Sequence, residues 1–366
     1  MHTRRLPGLG LALALILSAG PAGAQRGSQN QQTRPQPDPD TVALVQLVDA
    51  AIVAAPTAQA GDRAQGDVAI RWESAHFIKG QNGAYVPFTV SFDPSSIRSS
   101  DVAIYIRAVE KSQVAVAAAA LAQPTAPAAG SKPQPGPSRP KYAWDHVHFQ
   151  KKPADGRVTR ALELPPGDYE LLVAVKERTT SGPAVTTVPP TVPSARHGLL
   201  RHSVVAPDFS RAELQTSSVI VASGVQPVSG QLSPAEQEAD PYVFGPMRIV
   251  PSRDGRFSKN AELQVLFWVY GATPLADGKP DVNIDFDFHL KQSDGSEKYF
   301  NKTKPQELNA STLPSEFNVG AGHQLPGSLI VGLMPFPAGD YRLEIKVTDR
   351  PSGKVVTQNV AFTVTG

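Results

Sequence analysis

From Val68 onward the chain is written in short runs that alternate apolar and polar residues, the pattern of half-buried β-strands. Tyr85–Phe92 places Val86, Phe88, Val90 and Phe92 on one face, with Pro87 pointing to a sheet edge or a bulge. Asp101–Arg107 does the same with Val102, Ile104 and Ile106, and further strands are expected over 144–149, 158–164, 169–175 and 200–205. The second half repeats the order. Strands are expected over 215–223 and 247–250, then at Leu263–Tyr270, which is apolar on both faces as a central strand is. Asp281–Leu290 turns Val282, Ile284, Phe286, Phe288 and Leu290 inward, and 327–333, 341–347 and 355–364 complete the set.

One stretch occurs twice. Leu164-Pro-Pro-Gly167-Asp168-Tyr169 opens a strand carrying Leu171, Val173 and Val175. Phe336-Pro-Ala-Gly339-Asp340-Tyr341 opens one carrying Leu343, Ile345 and Val347, at an offset of 172 (339 − 167). A trio that recurs once per half reads as a folding device: Gly for an unusual backbone angle, Asp for a local hydrogen bond, Tyr for the core. Many short strands punctuated by turn residues predict an all-β protein of two tandem β-sandwiches, over 66–208 and 209–366. A single helical pattern precedes them over 41–56, capped by Asp40 or Thr41 and stopped by Pro56. Its stripe of Leu44, Leu47, Val48, Ala51 and Ile52 either packs on the following sandwich or binds a partner. An Ala- and Pro-rich insertion occupies 115–140, its Pro-Thr-Ala-Pro and Pro-Gln-Pro-Gly-Pro pieces expected to be solvated and extended, and 182–193 reads as a second proline-rich loop.

Residues 1–24 read as a signal peptide: Arg4 and Arg5, an apolar run from Leu9 to Ala19, then Ala22-Gly23-Ala24 before a cleavage point. The expected destination is the periplasm or the exterior. Residues 25–40, without an apolar residue of any size, are expected to be a disordered linker. Loss of 1–24 removes two of 35 basic residues and none of 33 acidic ones, leaving 33 against 33. That balance argues against a nucleic-acid partner. There is no cysteine, so disulfides and thiolate zinc sites are excluded.

Candidate chemistry is sparse. Asp285, Asp287 and His289 share a strand face and could face a cation, but a solvated outer face accounts for the same spacing. His146 and His148, flanked by Trp144, form a His-x-His pair without a recognisable third ligand. No Gly-x-Ser-x-Gly elbow, Ser-x-x-Lys set or phosphate-cradling loop occurs, and nothing implies a cofactor.

The two Gly-Asp-Tyr strands resemble the tyrosine-corner strand of immunoglobulin-like and fibronectin type III-like sandwiches, in which the tyrosine hydroxyl bonds back to the preceding corner. The resemblance implies that both sandwiches are immunoglobulin-like, with Tyr169 and Tyr341 at the corners. The C-terminal stretch 337–349, with Ser352-Gly-Lys-Val-Val, resembles the accessory sandwich regions of secreted acidobacterial-type von Willebrand factor A-related and GWxTD-domain proteins. Val205–Ser210 and Leu214–Ser223 resemble their junction between modules. Neither the Asp-x-Ser-x-Ser nor the Gly-Trp-x-Thr-Asp motif of those families is present. The resemblance therefore implies a scaffold and transfers no catalytic residue. The expected function is an exported, non-enzymatic interaction or scaffold protein with a protein partner. Glycan or cell-wall binding through Trp144 or Tyr242 is the alternative, and a hydrolase the third.

Overall fold

The computed structural model of the chain describes residues 37–54, 63–122, 140–179, 195–230 and 232–366. The expected signal peptide, most of the linker, both proline-containing pieces of the 115–140 insertion and all of 182–193 lie outside those residues. The chain forms two compact units, one up to Phe209 together with Glu238–Pro241, the other from Ser210 to Gln237 and from Tyr242 to Gly366.

The first unit begins with helix α1 (Pro39–Val53). Its cap is Asp38, earlier than expected: the Asp38 carboxylate accepts from the backbone N–H of Asp40 at 2.9 Å and of Thr41 at 3.2 Å. Pro39 explains the shift, because proline's missing N–H and fixed φ suit the first helical position. The strands are β1 (Arg63–Gly66), β2 (Ile70–Ala75), β3 (Ile78–Lys79), β4 (Ala84–Phe92) and β5 (Asp101–Glu110). After helix α2 (Val114–Ala122) come β6 (Trp144–Lys151), β7 (Arg157–Leu164), β8 (Gly167–Glu177) and β9 (His197–Ala206). One sheet runs β1-β9-β8-β5-β6; the facing sheet runs β2-β4-β3, with β7 on the other side of β4.

Helix α2 adds to the single helix expected from the sequence: Val114–Ala122 contains no proline and alanine is the best helix former. Its Ala117 and Ala118 pack with Leu44, Val48 and Ile52 of α1 against Ala103, Tyr105, Leu172, Ala174 and Leu199. The α1 stripe is thus buried on its own unit rather than free. Both faces of β5 and β8 are covered: Val102, Ile104, Leu171 and Val173 face the sandwich core, while Tyr105 and Leu172 face the helices.

Pro87 also departs from expectation, since β4 is central and paired with β7 through Pro87↔Ala161. Its missing donor faces the other flank, where the ladder breaks between β2 and β3, and there its carbonyl accepts from the His76 N–H at 2.9 Å. Proline sits in a central strand here because one neighbour is interrupted beside it.

The second unit contains β10 (Gln215–Thr216), β11 (Ile220–Pro227), helix α3 (Pro234–Ala239), β12 (Val243–Phe244), β13 (Met247–Pro251), β14 (Arg256–Ser258), β15 (Glu262–Tyr270), β16 (Val282–Lys291), β17 (Glu297–Lys302), β18 (Gln306–Leu308), β19 (Leu325–Gly332), β20 (Gly339–Asp349) and β21 (Lys354–Thr365). The last two residues of α3 fall in the first compact unit. One sheet runs β10-β15-β11-β13-β12, with β19 on the far side of β15; the other runs β14-β21-β20-β16-β17, with β18 beside β16. β15 is central, as its two apolar faces require. Leu263, Val265, Phe267 and Val269 meet Val282, Ile284, Phe286, Leu343, Ile345 and Val347 in one core. Each such side chain contributes about 1.5–3 kcal/mol by burial. At the end of this core Phe336, Tyr341 and Phe362 cluster with Phe288 and Phe300.

Candidate functional site

The repeated trio is built as backbone geometry demands. Gly167 and Gly339 adopt φ of +152° and +158°, values that L side chains rarely adopt. Tyr341 is fully buried, stacked on Phe362 with centroids 5.2 Å apart, and its hydroxyl donates to the Pro337 carbonyl at 2.8 Å. Tyr169 is also buried, but no hydrogen bond from its hydroxyl is formed among the described residues. Asp168 and Asp340 are exposed, and Asp340 accepts from the Thr363 hydroxyl at 2.6 Å.

The same strands end on a second repeated feature that sequence reasoning missed. Glu177 closes β8 and Asp349 closes β20, again 172 residues apart (349 − 177), and both are buried. Glu177 accepts from the Arg98 side chain at 3.0 Å and the Arg196 N–H at 2.9 Å. Burial pushes its pKa up, yet these bonds and the Arg98 N–H outweigh it and hold the carboxyl at about 2. Asp349 accepts from the Thr273 N–H at 3.3 Å and hydroxyl at 2.7 Å, and from the Ser352 hydroxyl. Each acid gathers loop donors around the end of a core strand. An acid does recur at one offset in the aligned copies, but the recurrence does not say that it is buried.

A buried cation ties α1 to its sheet. Arg107 is 2% exposed and pairs with Asp49 of α1 and with Asp145 of β6 at 3.1 Å, while donating to the Tyr105 hydroxyl. Its guanidinium lies 3.9 Å from the Tyr142 ring centroid. At the helix start the buried Asp40 binds Lys176, Arg178 at 3.3 Å and the Thr179 hydroxyl at 2.7 Å. Burial raises the Asp40 pKa, and the Lys176 and Thr179 bonds bring it below the ordinary value.

Of the candidates for chemistry, His146 and His148 project from β6 toward Glu238, with nitrogen–oxygen distances of 3.5 and 3.4 Å. His146 also stacks on Trp144, centroids 4.3 Å apart. Burial, then Arg160 and His146, lowers the His148 pKa to about 4, so the ring is neutral near pH 7. Trp144 therefore presents one face already covered, and Tyr242 is 5% exposed. That burial corrects the expectation of Tyr242 as an exposed stacking platform. Asp285, Asp287 and His289 lie on the outward face of β16; Asp285 accepts from the Asn283 amide at 2.9 Å, and His289 meets the edge of Tyr299. Among the described residues no three His, Asp or Glu side chains converge as metal ligands. A depression of about 480 Å³ between α2 and residues 140–142 is lined by Val109, Val116, Ala117 and Tyr142. It offers apolar contact with no acid–base pair.

The sheet edges differ in what guards them. β17 carries Glu297, Lys298 and Lys302, and β7 carries Arg157, Arg160 and Glu163. The open flank of β19 is plugged by Gln306, which accepts from the Ser328 N–H at 2.9 Å and donates to the Pro326 carbonyl at 3.4 Å. Such charges and plugs are standard protection against stray pairing. β21 lacks them. It pairs with β20 along its length, but on its far flank only Thr363–Thr365 meet a strand, β14. Lys354–Ala361 face no strand there among the described residues, and Val355 is 48% exposed.

No protein-family model matches the chain, and no curated protein matches it. Solved structures with a similar arrangement include alpha-2-macroglobulin from Escherichia coli activated by trypsin, 11% identical with a TM-score of 0.23, and the same protein activated by porcine elastase, 12% identical with a TM-score of 0.21. They cover 83% and 82% of this chain, which spans 17% and 22% of theirs. A likeness that distant carries no function across.

Proposed function

We propose that this chain is an exported, non-enzymatic interaction or scaffold protein of the cell envelope that binds another polypeptide by strand addition. The observation that carries the reading is the unguarded edge of β21, in contrast to the charged edges of β17 and β7 and the plugged flank of β19. Main-chain hydrogen bonds to such an edge give affinity, and alternate side-chain positions give selectivity. Arg107, Asp40, Glu177 and Asp349 are engaged in holding elements together, which fits a scaffold. Export rests on the expected signal peptide. Kinship with accessory modules of secreted von Willebrand factor A-related and GWxTD-domain proteins rests on the C-terminal resemblance.

The test is affinity capture from native envelope extract with the wild-type chain and with Thr357→Pro, which alters only the open flank of β21. A partner held by the wild type and lost by the variant supports strand addition. A partner held equally by both, or none held by either, sinks it.

A further inference from the structure

The exposed stretch of β21 reads Lys354-Val-Val-Thr-Gln-Asn-Val-Ala361, with one charge at its first position. The Thr363 N–H donates to the Gly255 carbonyl on the far flank, away from β20. Strand alternation then directs the N–H and C=O of Val355, Thr357, Asn359 and Ala361 to that same open flank. Over this stretch, about 27 Å of strand, a row of backbone donors and acceptors is left for a partner.

Resting on the strand-addition reading, we infer that the occupant is a second copy of this chain, its β21 laid antiparallel against this one about Gln358. In that register Thr357 faces Asn359 and each such pair exchanges two backbone hydrogen bonds, while Val355 faces Ala361, whose carbonyl Gly255 already approaches (a Cβ on Gly255 would meet it at 3.4 Å). On the core-side face Val356 meets Val360, and Gln358, whose amide donates to the Thr216 hydroxyl at 2.9 Å, lies beside its own copy. Val356 and Val360 already pack, partly buried, on the core of the second unit, and the added strand completes their burial. The two Lys354 ammonium groups fall at opposite ends of the ladder, so no like charges face each other. β14 closes the same flank beyond Ala361, which confines the overlap to this stretch. The edge is therefore complementary to itself in hydrogen bonding, in apolar pairing and in charge, and the contact is isologous, the form taken by closed two-fold dimers.

Sedimentation equilibrium of the purified full chain over a wide concentration range tests this. The expected result is a monomer–dimer equilibrium that is lost in Thr357→Pro and in Val355→Lys, both with the wild-type melting temperature. Proline at 357 removes a donor only from the open flank, and lysine at 355 sets a charge on an exposed face opposite Ala361. A chain that stays monomeric at its highest soluble concentration overturns the inference, as does a dimer that survives both substitutions. If the chain is monomeric while envelope capture still yields a partner lost with Thr357→Pro, the self-pairing fails and the strand-addition reading stands.

Discussion

Glu177→Gln isolates the energy stored at the end of β8. The wild-type carboxyl has its pKa lowered from 4.5 to about 2. A depression of that size corresponds to about 3 kcal/mol. Arg98, its main side-chain partner, is 46% exposed, and solvent screening of that guanidinium reduces the expected value to about 2 kcal/mol. The sign follows from linkage: a carboxyl with a depressed folded-state pKa contributes fully above its ordinary value of 4.5, and its contribution is lost as pH falls toward 2. The substituted amide keeps the size and one acceptor but sets an NH₂ against the Arg98 or Arg196 donors. Urea denaturation followed by tryptophan fluorescence reports chiefly on this unit, because Trp72 and Trp144 lie in it. At about pH 6 the variant should be less stable by about 2 kcal/mol, and the gap should close between pH 4.5 and 2. Parallel curves for the two proteins across that range refute the assignment of a buried, ionised anchor.

The two corner tyrosines should respond unequally. Tyr341→Phe removes a buried hydrogen bond and should cost its unit about 1 kcal/mol, whereas Tyr169→Phe should leave melting nearly unchanged; equal losses by calorimetry contradict the different bonding of the two hydroxyls. Leu44→Ala, at a fully buried position of α1, should destabilise the first unit by about 3 kcal/mol, and an unaltered unfolding curve shows that the helix does not dock. Burial holds His76 at about 4, and burial with Arg160 and His146 holds His148 at about 4, so both are stabilising while neutral. Their contribution is complete above pH 6.5 and drains as pH falls toward 4. His148→Gln should flatten the stability curve in that interval, and an unchanged slope removes His148 from the account. For His148 the charged neighbours in play are Glu238 of α3, Arg160 of β7 and His146 of its own strand.

The strands were legible because period-two alternation states which face is buried. Val86, Phe88, Val90 and Phe92 are all in the core, as are Val282, Ile284, Phe286 and Phe288. What escaped was decided by long-range partners. The outward positions of β20 are Arg342, Glu344 and Lys346, and Arg342 bonds Glu297 at 2.7 Å at the surface. The matching positions of β8 include Leu172 and Ala174, apolar because α1 and α2 cover that face. This contrast was present in the two aligned copies, yet it gains meaning only once a helix is known to lie above. The α2 helix was hidden by its neighbours, since prolines a few residues later mark the whole stretch as an insertion between strands. Asp38 does not read as a cap because Pro39 continues the proline spacing of Pro35 and Pro37 in the linker. Glu177 and Asp349 were the hardest, because an acid after an apolar strand ordinarily marks the return to water, and only three-dimensional closure of the loops shows that it is enclosed. The open edge of β21 was invisible for a related reason: nothing local says which flank of a strand lacks a neighbour.

The Arg107 cluster has a practical corollary for dissecting this molecule. A fragment cut at the first strand would leave a guanidinium without Asp49 and bare the apolar side of β5 and β8 in one stroke. Such a piece would aggregate, and its insolubility would be misread as a sandwich unable to fold alone. The shortest expressible form of the first half therefore starts no later than residue 37, so that Asp38 and all of α1 travel with the sheet they seal.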